Sequence, residues 1–162
     1  MVHFFTDEKQ SSAVVELSDA YREQAASVRR GVTLRSGGVV RVQDEIVAAK
    51  DGDEARWALM TRAKIKLRGN TARLTRGGKT MCVRLLSPQG AEWKIESARP
   101  PTAVEKQNTG YAMLACRVAM SANETTQIVV EILSETEIRN TAVAGPEKIL
   151  PLDSWPGKLS AD

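Results

Sequence analysis

The run Lys64-Ile65-Lys66-Leu67-Arg68 places three cations at alternate positions with two aliphatic residues between them. In an extended strand, successive side chains point to opposite faces, so the charges share one face and Ile65 and Leu67 the other. One face packs and one is wet. The surrounding chain is basic as well: residues 22–84 carry fifteen Lys/Arg against six Asp/Glu, a local balance of +9. The first 21 residues and residues 85–162 each balance at −3, which brings the whole chain to +3. A basic stretch of this kind suits an anionic partner, an acidic polysaccharide or a nucleic acid; the same residues also fit the solvent faces of strands.

Other chemistries are poorly provided for. His3 is the single histidine, which removes metal sites built on two imidazoles, and no Cys-x-x-Cys pair is present. No metal and no cofactor is expected. Cys82 and Cys116 each sit inside an apolar run and read as two buried free thiols, although a cross-strand disulfide stays open. The glycine pairs lack the following helix that a phosphate loop needs. A Ser-His-Asp triad would have to recruit His3 at the extreme N-terminus. Asp44 and Glu45 are adjacent on an alternating run, so they point apart and cannot converge as a glycosidase pair; Asp44 is expected to order a turn or to pair with an arginine. Nucleic-acid binding would need stacking aromatics, and the seven present (Phe4, Phe5, Tyr21, Trp57, Trp93, Tyr111 and Trp155) are scattered without a recognisable signature. No stretch approaches the ~20 apolar residues of a membrane span. The opening MVHFFTDEKQ does not read as a secretory signal.

These side chains must be positioned by strands. Period-2 alternation predicts strands at Ser12–Leu17, Ala26–Arg35, Val39–Val47, Ala55–Ala63, Lys64–Arg68, Ala72–Arg76, Met81–Ser87, Glu92–Ser97, Gly110–Ser121 and Thr125–Leu133. Ser36-Gly37-Gly38, Gly69-Asn70 and Gly77-Gly78 supply hairpin turns. Leu17–Gln24 is the one plausible helical turn, with Ser18 or Asp19 as its cap. Arg99-Pro100-Pro101-Thr102 opens an irregular connection. The predicted fold is all-β, an antiparallel two-sheet β-sandwich over 1–133. An extended segment, 134–162, follows and is expected either to be partly ordered or to pack on the sandwich, strapped by Ile149, Leu150, Leu152 and Trp155.

The order of motifs carries a resemblance. Ala13-Val14-Val15-Glu16-Leu17-Ser18-Asp19-Ala20-Tyr21 is followed by Ala25-Ala26-Ser27-Val28-Arg29-Arg30-Gly31, then by Val39-Val40-Arg41-Val42-Gln43-Asp44-Glu45-Ile46. Trp57-Ala58-Leu59-Met60-Thr61, Leu85-Leu86-Ser87-Pro88 with Trp93, and Asn108-Thr109-Gly110 come next. The series resembles the β-sheet domain of heparinase II/III-like polysaccharide lyases over roughly residues 10–133, with Glu16 and Ser18 standing where the pattern has Asp and Thr. The resemblance implies an α/α toroid partner domain in the same parent protein, a cleft for uronate-containing polysaccharide between the two, and cleavage by β-elimination. It also implies a periplasmic or secreted parent. The toroid supplies the carboxylate neutraliser and the tyrosine of that chemistry, and a histidine comes from near the start of the β region. His3 lies upstream of the matching stretch with no family catalytic motif around it, so no catalytic residue is expected in this chain. Arg62, Lys64, Lys66, Arg68 and Arg73 are then the candidates for meeting uronate or sulfate groups, and Trp57 for stacking on a sugar face. A free-standing module for acidic glycans is the alternative reading.

Overall fold

The computed structural model describes residues 2–102, 104–134, 136–138 and 148–156. Eleven strands run as β1 (Val2–Thr6), β2 (Gln10–Glu16), β3 (Ala25–Arg35), β4 (Val39–Ala48), β5 (Glu54–Thr61), β6 (Lys64–Arg68), β7 (Thr71–Arg76), β8 (Lys79–Ser87), β9 (Lys94–Ser97), β10 (Ala112–Ala119) and β11 (Thr125–Ser134). They form two sheets. The larger has eight strands in the order β1-β2-β3-β4-β11-β8-β7-β6, and the smaller has three, β5-β10-β9. Every strand pairing is antiparallel, as the alternating pattern predicts. The large sheet is two consecutive meanders, β1 to β4 and β6 to β8, joined by β11 between them.

The core lies between the sheets. Trp57, Leu114 and Cys116 from the small sheet meet Val83, Leu85, Ile128 and Val130 from the large one. Trp57 and Trp93 stack edge to face with ring centroids 5.4 Å apart. Trp93 Nε1 donates to the Asn70 carbonyl at 2.9 Å, which ties the core to the β6–β7 hairpin. Gly69 turns that hairpin at φ +57°, a region that costs other residues strain. Cys82 and Cys116 are both buried and are not joined by a disulfide, and they belong to different sheets. Burial pushes the Cys116 thiol up to about 11, so it is inert at neutral pH.

Three elements depart from the sequence reading. The run Ala55–Ala63 ends as a strand at Thr61, where Thr61 Oγ1 accepts from Ala63 N–H at 3.0 Å. The chain leaves the small sheet at this corner and enters the large one as β6. The helical turn is only a short 3-10 segment over Ser18–Ala20 without a side-chain cap. Ser18 Oγ is occupied elsewhere, donating to Glu16 and accepting from Val28 N–H at 2.9 Å. β1 is a further strand, paired residue for residue with β2 from Val2↔Val15 to Thr6↔Ser11.

Residues 148–156 lie across the outer face of the large sheet. Gln43 Nε2 donates to the Leu150 carbonyl at 2.8 Å, Glu45 Oε1 accepts from Leu152 N–H at 2.8 Å, and Arg29 pairs with Asp153 at 2.6 Å. Leu152 is buried, whereas the Leu150 side chain is exposed. The rest of 134–162 beyond Ser134 and residues 136–138 lies outside the described residues. Gly31 is where this strap comes closest: a Cβ there would sit 2.8–2.9 Å from the Trp155 ring and clash with Leu152. Gly31→Val is therefore expected to lift the strap while the sandwich stays folded. Limited proteolysis should then cut near residue 150 at a protease dose that spares the parent chain.

Candidate functional site

β6 is the edge strand of the large sheet, and its alternation sets the candidate surface. Lys64, Lys66 and Arg68 are exposed and lie opposite Thr75, Arg73 and Thr71 of β7. Cross-strand partners share a face, so Lys66 and Arg73 stand side by side. Thr71 in turn pairs with Arg84 of β8, which extends the cationic row inward. Four of the predicted residues, Lys64, Lys66, Arg68 and Arg73, thus come together on the outer face at one edge. Arg62 does not join them: its guanidinium sits 4.4 Å over the Tyr111 ring at the corner between the sheets.

Trp57 stands apart from the other predicted site residues. It occupies an inward position on β5, is 7% exposed, and has Trp93 against its ring. A face already packed in the core is not offered to a sugar. Trp57 packs in the inter-sheet core and also borders a neighbouring cleft.

The sequence gives no warning of a second feature on the same outer face. Arg41, Gln43, Glu45 and Glu131 belong to the polar side of alternating strands, yet each is 6% exposed or less. Glu131 accepts from Arg41 at 2.7 Å, Arg35 at 2.9 Å and Arg84 at 2.7 Å. Burial alone raises its carboxyl, but the hydrogen bonds from Arg84 and Arg41 outweigh that and hold it below the ordinary glutamate value. Glu45 pairs with Arg29 at 2.7 Å and accepts from Gln127 at 3.1 Å. This ladder is stapled across β3, β4, β11 and β8, so much of the basic charge counted in the sequence is neutralised inside the protein. Among the described residues, Lys64, Lys66 and Arg68 of β6 are not members of this ladder.

Among the described residues the inner face of the large sheet is only partly covered, because three strands cannot roof eight. Along β1, β2 and β3, Phe4, Ala13 and Val32 align in register on the inner side; Phe4 is 65% exposed and Leu34, on the same side of β3, 51%. Apolar side chains arranged this way mark a face meant to be covered.

No protein-family model and no curated protein sequence matches the chain. Solved structures do. A heparinase III gene product superposes with a TM-score of 0.64 at 16% identity, covering 82% of this chain and 21% of that one. The fold is that of a part of heparinase III. Heparan sulfate lyase HepC from Pedobacter heparinus gives the same TM-score at 11% identity, again with 82% and 21% coverage. Another heparinase III structure gives 0.56 at 16% identity. The chain therefore spans about a fifth of the length of these heparinase III-like structures. The expected resemblance holds at the level of fold, and so does the all-β two-sheet architecture.

Proposed function

We propose that this chain is the noncatalytic β-sandwich portion of a heparinase II/III-like polysaccharide lyase, scaffolding an α/α toroid and lining the cleft for a uronate-containing polysaccharide. The observation that carries the reading is the asymmetry of the fold match: most of this chain is accounted for by a small part of much longer lyases. The uncovered inner face with Phe4, Val32 and Leu34 is the surface on which the rest of such a protein would pack. Lys64, Lys66, Arg68 and Arg73 form the surface for uronate or sulfate groups. A parent of this kind works in the periplasm or outside the cell. The free-standing glycan-binding module shares the basic edge but gives no use to the exposed apolar face.

Sequencing the source DNA on both sides of these 162 codons tests the parent. The reading expects an open frame that continues into helix-rich sequence of several hundred residues; stop codons closely flanking the 162 would overturn it. The surface is tested separately. Replacing Lys64, Lys66 and Arg68 with glutamate is expected to weaken heparan sulfate binding by up to about a hundredfold, since three exposed contacts contribute ~1 kcal/mol or less each. The parent chain should lose most of its affinity as salt is raised, because exposed charges are screened within ~10 Å at 0.1 M. Isothermal titration across a salt series reads both effects.

A further inference from the structure

A cleft of about 470 Å³ opens between the sheets beside β3, β4 and β5. Its floor is apolar, made by Val28, Ala55, Met120 and Ile128. Into this layer the two long strands place an ion pair. Arg30 and Asp44 are direct cross-strand partners, on the side of the sheet that elsewhere carries Val28, Val32, Ile46 and Ala48. Asp44 binds Arg30 through Nε at 2.6 Å and Nη2 at 2.8 Å. The aspartate side chain is 5% exposed and the arginine 45%.

Burying a carboxylate at an apolar position is costly, and two aliphatic residues would fill the same space more cheaply. What the pair gains is orientation. Asp44 fixes the guanidinium through Nε and Nη2, among the described residues Nη1 has no partner, and each carboxylate oxygen keeps a second lone pair. Donors and acceptors therefore stand next to each other in a rigid arrangement. Tyr21 lines the same cleft as Arg30 and is 48% exposed.

The charge around the cleft selects the ligand. Arg30, Lys50 and Arg56 face Glu23, Asp44, Asp53 and Glu54, which leaves no excess of cations to favour an anion. Glu54 is further engaged by Arg117 at 2.6 Å. Vicinal hydroxyls each donate and accept, which matches a fixed arginine–aspartate pair; the C–H face of a pyranose matches an exposed tyrosine ring and an apolar floor. The geometry points to this cleft as a binding site for one uncharged sugar ring, with Asp44 and Arg30 clasping adjacent hydroxyls and Tyr21 covering a ring face. The site is separate from the basic edge on β6 and β7 and does not depend on it.

Amide shifts of the full chain, isotope-labelled and titrated with methyl glucoside, methyl galactoside or N-acetylglucosamine, test this assignment. At least one of them is expected to shift Tyr21, Ala25 and Ala55 with a dissociation constant on the order of millimolar, independent of salt. Tyr21→Ala, at an exposed position, should weaken that binding about tenfold without unfolding the chain. Arg30→Lys keeps the charge but loses the fork, and should weaken it as well. No shift with any neutral glycoside, shifts that survive both substitutions, or equal binding of glucuronate would each overturn the assignment. Heparan sulfate binding at Lys64, Lys66 and Arg68 is read in a separate titration, so the two sites fail or stand independently.

Discussion

Glu131→Gln is expected to destabilise the sandwich by ~3–5 kcal/mol, the range for removing one partner of a buried ion pair. Glu131 is 3% exposed and is the common acceptor for Arg35, Arg41 and Arg84. An amide in its place leaves three guanidinium groups facing a neutral side chain in a dry layer. Arg35→Gln should cost much less, ~1 kcal/mol, because its side chain is 23% exposed and two arginines still hold the carboxylate. The same site predicts an acid response. The folded-state carboxyl lies below its ordinary value of ~4.3, so its contribution is fully present above that pH. It is lost as pH falls from there through the folded value. Urea midpoints across pH 3–7 should therefore drop at the acid end in the parent chain, and Glu131→Gln should flatten part of that drop.

Trp57→Ala is expected to cost a further ~3–5 kcal/mol, the range for truncating a buried tryptophan. The loss combines the burial of the ring in the inter-sheet core with its edge-to-face contact to Trp93. Its diagnostic value lies in what should not change. At a temperature where the variant is still folded, its heparan sulfate affinity should equal that of the parent. A stacking role for Trp57 on the polymer would instead lower affinity while leaving stability nearly intact. Thermal melts and titrations on the same sample separate the two.

The sequence reveals individual strands far better than their arrangement. Alternation is a local property, and the runs from Ala26 to Arg35 and from Thr125 to Leu133 are legible because their apolar residues recur every second position between turn residues. Nothing local says that β11 inserts between β4 and β8, or that the chain changes sheets at Thr61; those follow from long-range packing. β1 was harder to read because Phe4 and Phe5 are consecutive apolar residues and break the alternation. Alternation also labels Arg41, Gln43, Glu45 and Glu131 as solvent-facing. They are buried, because charges of opposite sign converge from strands distant in sequence and Leu152 covers part of the row.

The candidate surface was legible for the same reason as the strands. Lys64, Lys66 and Arg68 announce a shared face by spacing alone, and Arg73 joins them by hairpin register. Arg62 lies within the corner Thr61–Ala63 and Trp57 on the strand before it, and spacing carries no information across such a corner. Of the two roles expected of Asp44, ordering a turn or pairing with an arginine, the structure shows the second, and its placement on the inter-sheet side of β4 needs the register with Arg30.

Titrating isotope-labelled chain with heparan sulfate, while following release of unsaturated uronate, tests the central claim most directly. The account predicts amide shifts concentrated on β6 and β7, moved to much higher heparan sulfate concentration by the glutamate substitutions at Lys64, Lys66 and Arg68, with no unsaturated product formed. Product release by this chain, or an absence of shifts on those two strands, would contradict it.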